Sequence, residues 1–495
     1  MSENILTSKI IILDNKKAQI ISEDPSLLRR LRVFLSFKMA GVEYTPAFKN
    51  GWSGITYLLT KNNSFNLGLL EKVKGFLLKN KAEYTIQDKR KNKSLNESID
   101  LSVNLNKYNL IPREHQLRIC NVVDLHDRGI VRAATGAGKT LVTALITAKK
   151  NLPTIIYVIG LDLLDQFHKL FSKLFDEKIG YIGNGVCEPE RITIASIWTI
   201  GRSLSLDDKS ILDDEVSSEK EVDKSSFDKI KECLLKAKLH IFDESHVVTT
   251  NTIAEIYKAI DPQYIYGFSG TPFRGDNSDL LINGILGEQI IDVPASELIK
   301  KGLLAQPIIK FVAVPKKHLE NNSQYQSVYK EYIVENDIRN NLIIKSVQML
   351  LDKKYTPLVL FKQIKHGDIL LEKMQNANMK CEMLHGNDSI EQRNKVKEML
   401  VNGEINVILA STIFDIGLDL PELSGLVLCG GGNSNIRALQ RIGRILRIIP
   451  GKTNAAVIDF FDQAKFLKKH SIARYNIYTS ESGFKILPCK EMKIE

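Results

Sequence analysis

Residues 132–140 read Arg-Ala-Ala-Thr-Gly-Ala-Gly-Lys-Thr, and an apolar run further on, LHIFDESH, ends in the adjacent acids Asp243 and Glu244. A nucleoside triphosphate needs backbone N–H groups turned inward, a lysine reaching its β and γ oxygens, and a hydroxyl that can hold Mg2+. Gly136 and Gly138 permit the tight backbone, Lys139 supplies the charge, and Thr140 supplies the hydroxyl at the start of a helix. Ala133 stands where a strict G-x-x-x-x-G-K-[ST] pattern begins with glycine, but that position needs only a small residue leaving a strand. At a strand end an aspartate can hold Mg2+ through water while the neighbouring glutamate polarises the attacking water. An isolated Asp-Glu pair is more often a solvated turn. Behind an apolar strand and downstream of a phosphate loop, the hydrolytic reading prevails.

Weaker signals surround these two. Gln116, in LIPREHQ, precedes Lys139 by 23 positions, and its amide could pair with a donor and an acceptor on adenine. Ser269-Gly270-Thr271 could relay the state of the nucleotide through hydroxyl hydrogen bonds, or be a structural turn. In ALQRIGRILR, Gln440, Arg444 and Arg447 recur at helical spacing and so share one face. Two arginines on one face could be merely solvated. If a second nucleotide-facing unit closes on the first, they become arginine fingers for the γ-phosphate.

The elements that must position these groups are legible as texture. From about 110 the chain alternates short β-branched runs with helical segments: GIVRAAT, TIIYVIG, RITIASI, KLHIFDE and YIYGFSG. Such alternation predicts parallel strands with crossover helices, and ligands of open α/β sheets bind at the carboxyl ends of the strands. A second series follows from about 356, TPLVLFK, CEMLHG, INVILAS, GLVLCGG and AAVIDF, so two doubly wound units in tandem are expected, joined between about 290 and 345. Residues 1 to about 85 mix short β-like runs (Lys9 to Leu13, Gly54 to Leu59) with amphipathic pieces (Ser26 to Phe37, Leu69 to Leu78), the pattern of a small α+β domain. KRKNKSLNES at 89–98 reads as a solvated linker, and the acidic, serine-rich stretch at 204–229 as a surface loop without chemistry. The expected boundaries are 1–100, 101–300 and 301–475, with a tail at 476–495.

Composition agrees with a soluble protein that meets a polyanion. A chain of 495 residues exceeds one core, and 43% hydrophobic with 25% charged residues excludes global disorder. The net charge is +10, and residues 1–100 hold 17 Lys and Arg against 10 Asp and Glu, so most of the surplus lies in the first fifth of the chain. The six cysteines are far apart without a C-x-x-C pair, which suggests neither a zinc site nor a disulfide framework and suits a reducing compartment. No apolar run reaches a membrane span and the N-terminus lacks a signal-peptide layout, so a cytoplasmic protein is expected.

Taken together, the ordered motifs resemble those of superfamily-2 helicases over residues 105 to 465. Gln116 resembles the Q motif, Ala134 to Thr140 motif I, Leu161 to Gln166 motif Ia and Asp243 to His246 motif II. Ser269 to Thr271 resembles motif III, Phe361 to Lys365 motif IV, Ser411 to Pro421 motif V and Gln440 to Arg447 motif VI. The resemblance implies two tandem RecA-like motor domains after a small α+β domain, with ATP and Mg2+ as cofactors. It assigns hydrolysis to Lys139, Asp243, Glu244, Gln440, Arg444 and Arg447, with Thr140 and Asp243 holding Mg2+, the latter via water. Nucleotide contacts are implied for Arg113, Gln116, Ala134, Thr135, Gly136, Ala137, Gly138, Lys139, Thr140, Gly417 and Asp419, and coupling for Ser269 and Thr271. Candidate contacts to nucleic-acid phosphates are Gln166, Ser196, Thr199, Lys362, His385, Gly386, Ser411 and Thr412; each could instead be a structural turn, and for His385 the two readings balance.

A narrower likeness includes FLSFKMAGVEYTPAFKNGWSGITYLL, FNLGLLEKVKGFL and VLFKQIKHGDIL, which are similar to the UvsW-type helicases of tailed phages. That likeness implies a monomeric motor on branched DNA (forks, Holliday junctions, D-loops and R-loops, the last bringing RNA) in recombination and repair, working in the host cytoplasm. Tyr44, Phe48 and Trp52 are core residues of the small domain or a stacking surface for bases. Three other readings stay open: a duplex translocase that does not separate strands, an RNA helicase, and a non-catalytic nucleic-acid adaptor. The adaptor ranks last because the lysine, both acids and both arginines are present.

Overall fold

The computed structural model describes residues 7–38, 48, 50–90, 96–204, 219–244, 250–270, 279–316, 324–385, 388, 390–411, 420, 422–431, 442–443, 445–448 and 452–492. The chain forms two compact units whose main division falls between Asp292 and Val293.

The first unit opens with the small α+β domain. β1 (Ser8–Ile12) and β2 (Lys17–Ser22) pair antiparallel across a turn in which the Asp14 carboxylate accepts the N–H groups of Lys16 and Lys17 at 2.7 Å. Asp24 caps the helix Pro25–Phe34 by accepting the Ser26 N–H at 2.8 Å, and proline at the first turn sacrifices no helical hydrogen bond. β3 (Ser36–Lys38) and β4 (Ile55–Tyr57) form a two-stranded sheet, whereas β5 (Ser64–Asn66) joins β2. The helix Leu70–Lys79 then returns the chain to β6 (Tyr84–Asp88), parallel to β1, giving the order β5-β2-β1-β6. Ile10, Ile20, Leu31, Val73 and Leu77 are fully buried between sheet and helices.

This domain is docked on the first motor domain, and the stretch expected as a solvated linker is tied down on both sides of residues 91–95. Arg90 bridges Asp88 and Asp127 at 2.6 and 3.0 Å. Asn96 donates to Asn151 O and Asn151 to Glu97 O, each at 2.7 Å, and the Ile99 N–H reaches Ala148 O at 2.9 Å. A Cβ on Gly68 would collide with the backbone oxygens of Asn283 and Gly284, so only glycine allows the short helix Leu67–Leu69 to lie against the helix Asp279–Leu286. Leu280 packs into the small domain's core, Lys72 pairs with Glu288 at 3.1 Å, and Arg128 donates to Asn15 O and to Ile285 O.

The first motor sheet comprises β7 (Arg128–Ala133), β8 (Thr154–Val158), β9 (Ile179–Gly183), β10 (Val186–Glu188), β11 (Ile192–Ser196), β12 (Leu239–Phe242), β13 (Tyr264–Ser269) and β14 (Gln289–Val293). Their order is β10-β9-β11-β8-β12-β13-β7-β14. β8, β11, β12 and β13 are buried along their whole length, because helices cover both faces of a parallel sheet. All five expected strands are present; β9, β10 and β14 were not foreseen. β12, β13 and β7 are parallel neighbours, so the Asp243 turn, the Ser269 turn and the phosphate loop leave one rim.

The second unit has a seven-stranded sheet of β15 (Gln306–Ala313), β16 (Pro357–Phe361), β17 (Cys381–Leu384), β18 (Val407–Ser411), β19 (Gly425–Leu428), β20 (Asn454–Phe461) and β21 (Lys485–Leu487). Every pairing in the order β17-β18-β16-β19-β20-β15-β21 is parallel. The sequence foretells five of these strands and misses β15 and β21. β21 lies in the stretch expected to be a tail, which therefore continues the sheet. Two buried ion pairs fix the helices around β20: Arg474 to Asp459 at 2.8 Å, with the Tyr478 hydroxyl on the same carboxylate at 2.9 Å, and Arg339 to Asp462 at 2.9 Å. Both charges in each pair are nearly dry, so satisfaction of every partner is what makes their burial tolerable.

Candidate nucleotide site and nucleic-acid interface

β7 ends at the buried Ala133, and the helix Lys139–Lys150 begins after Gly138. Between them Gly136 and Gly138 have φ of +88° and +80°, a backbone region that side-chain-bearing residues rarely enter, and the turn leads directly into the helix N-terminus. Alanine at 133 needs no such freedom. Thr140 occupies the helix's first turn and is half-buried.

Across the rim, the Lys139 side chain pairs with Glu244; the two side chains are 12% and 17% exposed. Burial works against the lysine's charge, but the Glu244 and Asp243 carboxylates outweigh it and hold its pKa above the ordinary value. Asp243 is pushed up to about 7, chiefly by burial, with Lys139 opposing and Glu244 adding to the rise. Its Oδ1 is buried with no hydrogen-bond partner among the described residues. Such an oxygen is costly unless something fills its place. A divalent cation with its water shell suits it, given the Thr140 hydroxyl on the helix that starts the opposite side of the rim. Glu244 has φ of +46°, a left-handed backbone unusual for a glutamate, at the kind of site where strain collects.

Gln116 departs from expectation. Its Oε1 accepts the Arg113 N–H at 2.8 Å and so caps its own helix, Glu114–Asp124, while Nε2 lies against Gly138. The acceptor half of the amide is therefore already engaged, and the paired recognition of adenine expected of it is not what the side chain is arranged to do. Ser269 is fully buried at the end of β13; Thr271, Gly417, Asp419, Gln440 and Arg444 lie outside the described residues. Arg447 corrects the shared-face expectation. Its backbone forms an antiparallel bridge with Leu304, reinforced by the Ala305 N–H on Leu446 O at 2.7 Å, so it stands beyond the helical turn at Ile442 and Gly443.

Among the expected phosphate contacts, Gln166 and Lys362 are exposed, on the helix Leu161–Leu174 and directly after β16. Ser411 ends β18 with its Oγ buried and without a hydrogen-bond partner among the described residues. Three others are engaged within the protein. Ser196 Oγ donates to Glu219 at 2.9 Å and Thr199 Oγ1 to the other oxygen of the same carboxylate, both hydroxyls being nearly inaccessible. Arg202 lies 3.4 Å from Glu219, and the Asn184 N–H donates to it at 3.2 Å. The phosphate role expected of Ser196 and Thr199 thus fails because a buried carboxylate already occupies both hydroxyls. His385 sits 3.2 Å from the Asp388 carboxylate, which also accepts the His385 N–H at 2.6 Å, an arrangement that favours the structural turn. Gly386 and Thr412 lie outside the described residues, as does Tyr44.

Residues 8–87 match the family model of the UvsW DNA helicase N-terminal domain, residues 61–274 that of the res subunit of type III restriction enzymes, and residues 341–449 that of the helicase conserved C-terminal domain. The ATP-dependent DNA helicase uvsW of Enterobacteria phage T4 is 27% identical over 92% of this chain and 94% of its own length. The chain is a superfamily-2 helicase of the UvsW type.

This helicase is also 26% identical to putative helicase 22 of Sulfolobus islandicus filamentous virus, over 72% of the chain but only 65% of that relative's length. In fold it resembles a fragment of a putative HsdR subunit of a type I restriction enzyme from Vibrio vulnificus, with a TM-score of 0.52 at 18% identity over 76% of this chain and 69% of that one. The helicase hydrolyses ATP and binds DNA. Among its described residues no helix is long and apolar enough to cross a membrane. Sequence reasoning missed Glu219, which lies in the acidic stretch assigned no chemistry, and Gly68, whose importance is visible only in the packing.

Proposed function

We propose that the helicase uses ATP turnover to unwind or branch-migrate branched DNA, including forks, Holliday junctions and D- or R-loops, in recombination and repair, as a monomer in the cytoplasm. The observation that carries this reading is the small basic domain docked, through Gly68, Arg128 and the Lys72–Glu288 pair, onto the first motor domain as part of one compact unit. A DNA-gripping domain held this way has a fixed position against the sheet that binds nucleotide, which suits steering of strands at a junction better than a tethered accessory.

The chemistry follows from the rim. The loop N–H groups of Thr135, Gly136 and Gly138 and the Lys139 ammonium receive the phosphates, since those of Ala134 and Ala137 already donate to Val293 O and Ala134 O, and the arriving anion competes with Glu244 for that ammonium. Glu244, released, is then available to polarise the attacking water. Thr140 and Asp243 are the residues that would hold Mg2+, which supplies charge neutralisation on the phosphates when bound. Arg444 and Arg447 supply further positive charge to the γ-phosphoryl group and Gln440 a neutral amide hydrogen bond, while Gly417 and Asp419 contact the nucleotide. Ser269 and Thr271 couple nucleotide state to DNA, whose backbone the exposed Gln166 and Lys362 hold.

The test is processing of synthetic four-way junctions, forks and tailed duplexes of matched sequence, each with ATP and with a non-hydrolysable analogue. Faster processing of junctions and forks is expected. If only tailed duplexes are unwound, the branched-DNA reading is wrong and a plain helicase remains.

A further inference from the structure

Because every strand of the second unit's sheet is parallel, the residues that follow β16, β18, β19 and β20 share one rim. Lys362 and Ser411 are there, and so is a cluster that no motif contains. After β20 the chain runs Ala464-Lys465-Phe466-Leu467-Lys468-Lys469-His470. The Leu467 N–H donates to Lys465 O at 2.8 Å, closing a three-residue turn with Phe466 at its centre, φ +65° and ψ −47°. A γ-turn of this hand is rare and strained for any residue with a side chain.

Nine non-glycine residues have positive φ among the described residues, and five are asparagine, the type that tolerates it. The other four are Lys81, Lys354, Glu244 and Phe466; Phe466 is the sole aromatic, and Glu244 lies at the nucleotide site. The strain is not explained by burial: Leu467 fills the core, whereas Phe466 remains 37% exposed. What the turn achieves is display of the ring.

The ring is backed by others. Phe466 stands edge-on to Tyr325 with centroids 6.0 Å apart, and Tyr325 lies 6.1 Å from Tyr329 and 5.8 Å from His470. Tyr325 and Tyr329 share a helix face, and the wider π-helical turn Lys330–Val334 follows them directly, a feature frequent at functional sites. Tyr329 donates to Gly430 O at 2.7 Å and Arg339 to Cys429 O at 2.9 Å, which holds the rim after β19. Cations flank the rings: Lys465 Nζ is 5.3 Å from the Phe466 centroid and Lys362 Nζ is 5.7 Å from that of Tyr329. Lys468 and Lys469 are exposed beside them, while the nearby Asp462 carboxylate is buried against Arg339.

We propose that Phe466, backed by Tyr325 and flanked by Lys362, Lys465, Lys468 and Lys469, is a stacking platform for an unpaired base of a single DNA strand whose phosphates the lysines hold. An exposed, rigidly backed aromatic face among cations matches the chemistry of a single strand, whose bases present their π-faces; a duplex keeps those faces stacked internally. This inference deepens the proposed function and rests on its reading of the helicase as a strand-handling motor.

The experiment measures binding of the full-length protein, by fluorescence anisotropy, to a labelled single strand, the same strand with abasic positions, and a fully paired duplex. Phe466→Ala should weaken binding to the intact single strand by roughly tenfold while changing the abasic strand and the duplex by less than about twofold, and Phe466→Trp should restore it. Phe466→Gly, which relaxes the turn, should bind as weakly as Phe466→Ala yet keep a thermal midpoint at or above that of the wild type. Wild-type binding by Phe466→Ala, equal losses on all three ligands, or a lowered midpoint for Phe466→Gly would each overturn the platform, the first being the outcome if the ring serves a protein contact. Failure of the broader reading looks different: the wild type itself would then show no ATPase stimulation by any strand.

Discussion

Glu244→Gln is the sharpest probe of the nucleotide site, because the structure gives that glutamate two jobs that pull in opposite directions. It holds Lys139, so an incoming triphosphate must displace it. A hydrogen bond between charged groups contributes about 1.5–3 kcal/mol net. Side chains 12% and 17% exposed leave little water to screen the pair, but Asp243 still faces the lysine and glutamine keeps a carbonyl acceptor, so the lower end applies. Removing about 1.5 kcal/mol of competition tightens ATP binding by about tenfold. The same substitution deletes the group that polarises water, which should lower turnover by about 10²- to 10⁴-fold. Titration with a fluorescent ATP analogue and steady-state ATPase at saturating single-stranded DNA read the two effects separately. Unchanged or weaker nucleotide affinity would show that the Lys139–Glu244 pair does not oppose ATP. Turnover within about tenfold of the wild type would remove Glu244 from the chemistry.

Two further substitutions examine how the first unit is held together. Gly68→Val forces a side chain into the backbone of Asn283 and Gly284, an overpacking cost of about 1–3 kcal/mol; the small domain should loosen and trypsin should cut near Arg90 faster, with ATPase in the absence of DNA little changed, whereas wild-type cleavage rates would show that the docking does not depend on that close approach. Glu219→Ala leaves the buried Ser196 and Thr199 hydroxyls without their acceptor, at about 1–3 kcal/mol for each group left unsatisfied; a lower urea midpoint with unchanged DNA affinity is expected, and a gain in affinity would instead restore the two hydroxyls as phosphate contacts that Glu219 had masked.

How far the sequence reaches is set by the range of the interaction that decides each residue. The phosphate loop is legible because its demands are local: a small residue leaving a strand, left-handed backbone at Gly136 and Gly138, and a lysine at a helix start. Apolar runs likewise announce buried parallel strands, since only a run apolar on both faces can lie between two layers of helices. Strands at or next to an edge carry less of that signal: β10, β14 and β21 at the edges, and β9 and β15 one strand in, went unseen.

Glu219 shows where local reasoning ends. It is one of nine acids in residues 204–229, and nothing in its neighbours marks it as the one that turns inward to meet Ser196, Thr199 and the Asn184 N–H. Arg447 fails for the same reason in reverse. Spacing of 3 and 4 places it on a helix face with Gln440 and Arg444, but main-chain bonding to Leu304 and Ala305, more than 100 residues earlier, competes for that backbone and takes it into a bridge. Periodicity describes what a segment does when its own side chains decide. At a motor's rim, partners distant in sequence decide instead, and residues such as Phe466 and Glu244 can be held in conformations their own types disfavour. Unfavourable local geometry with an exposed or reactive side chain is therefore the more direct pointer to function there.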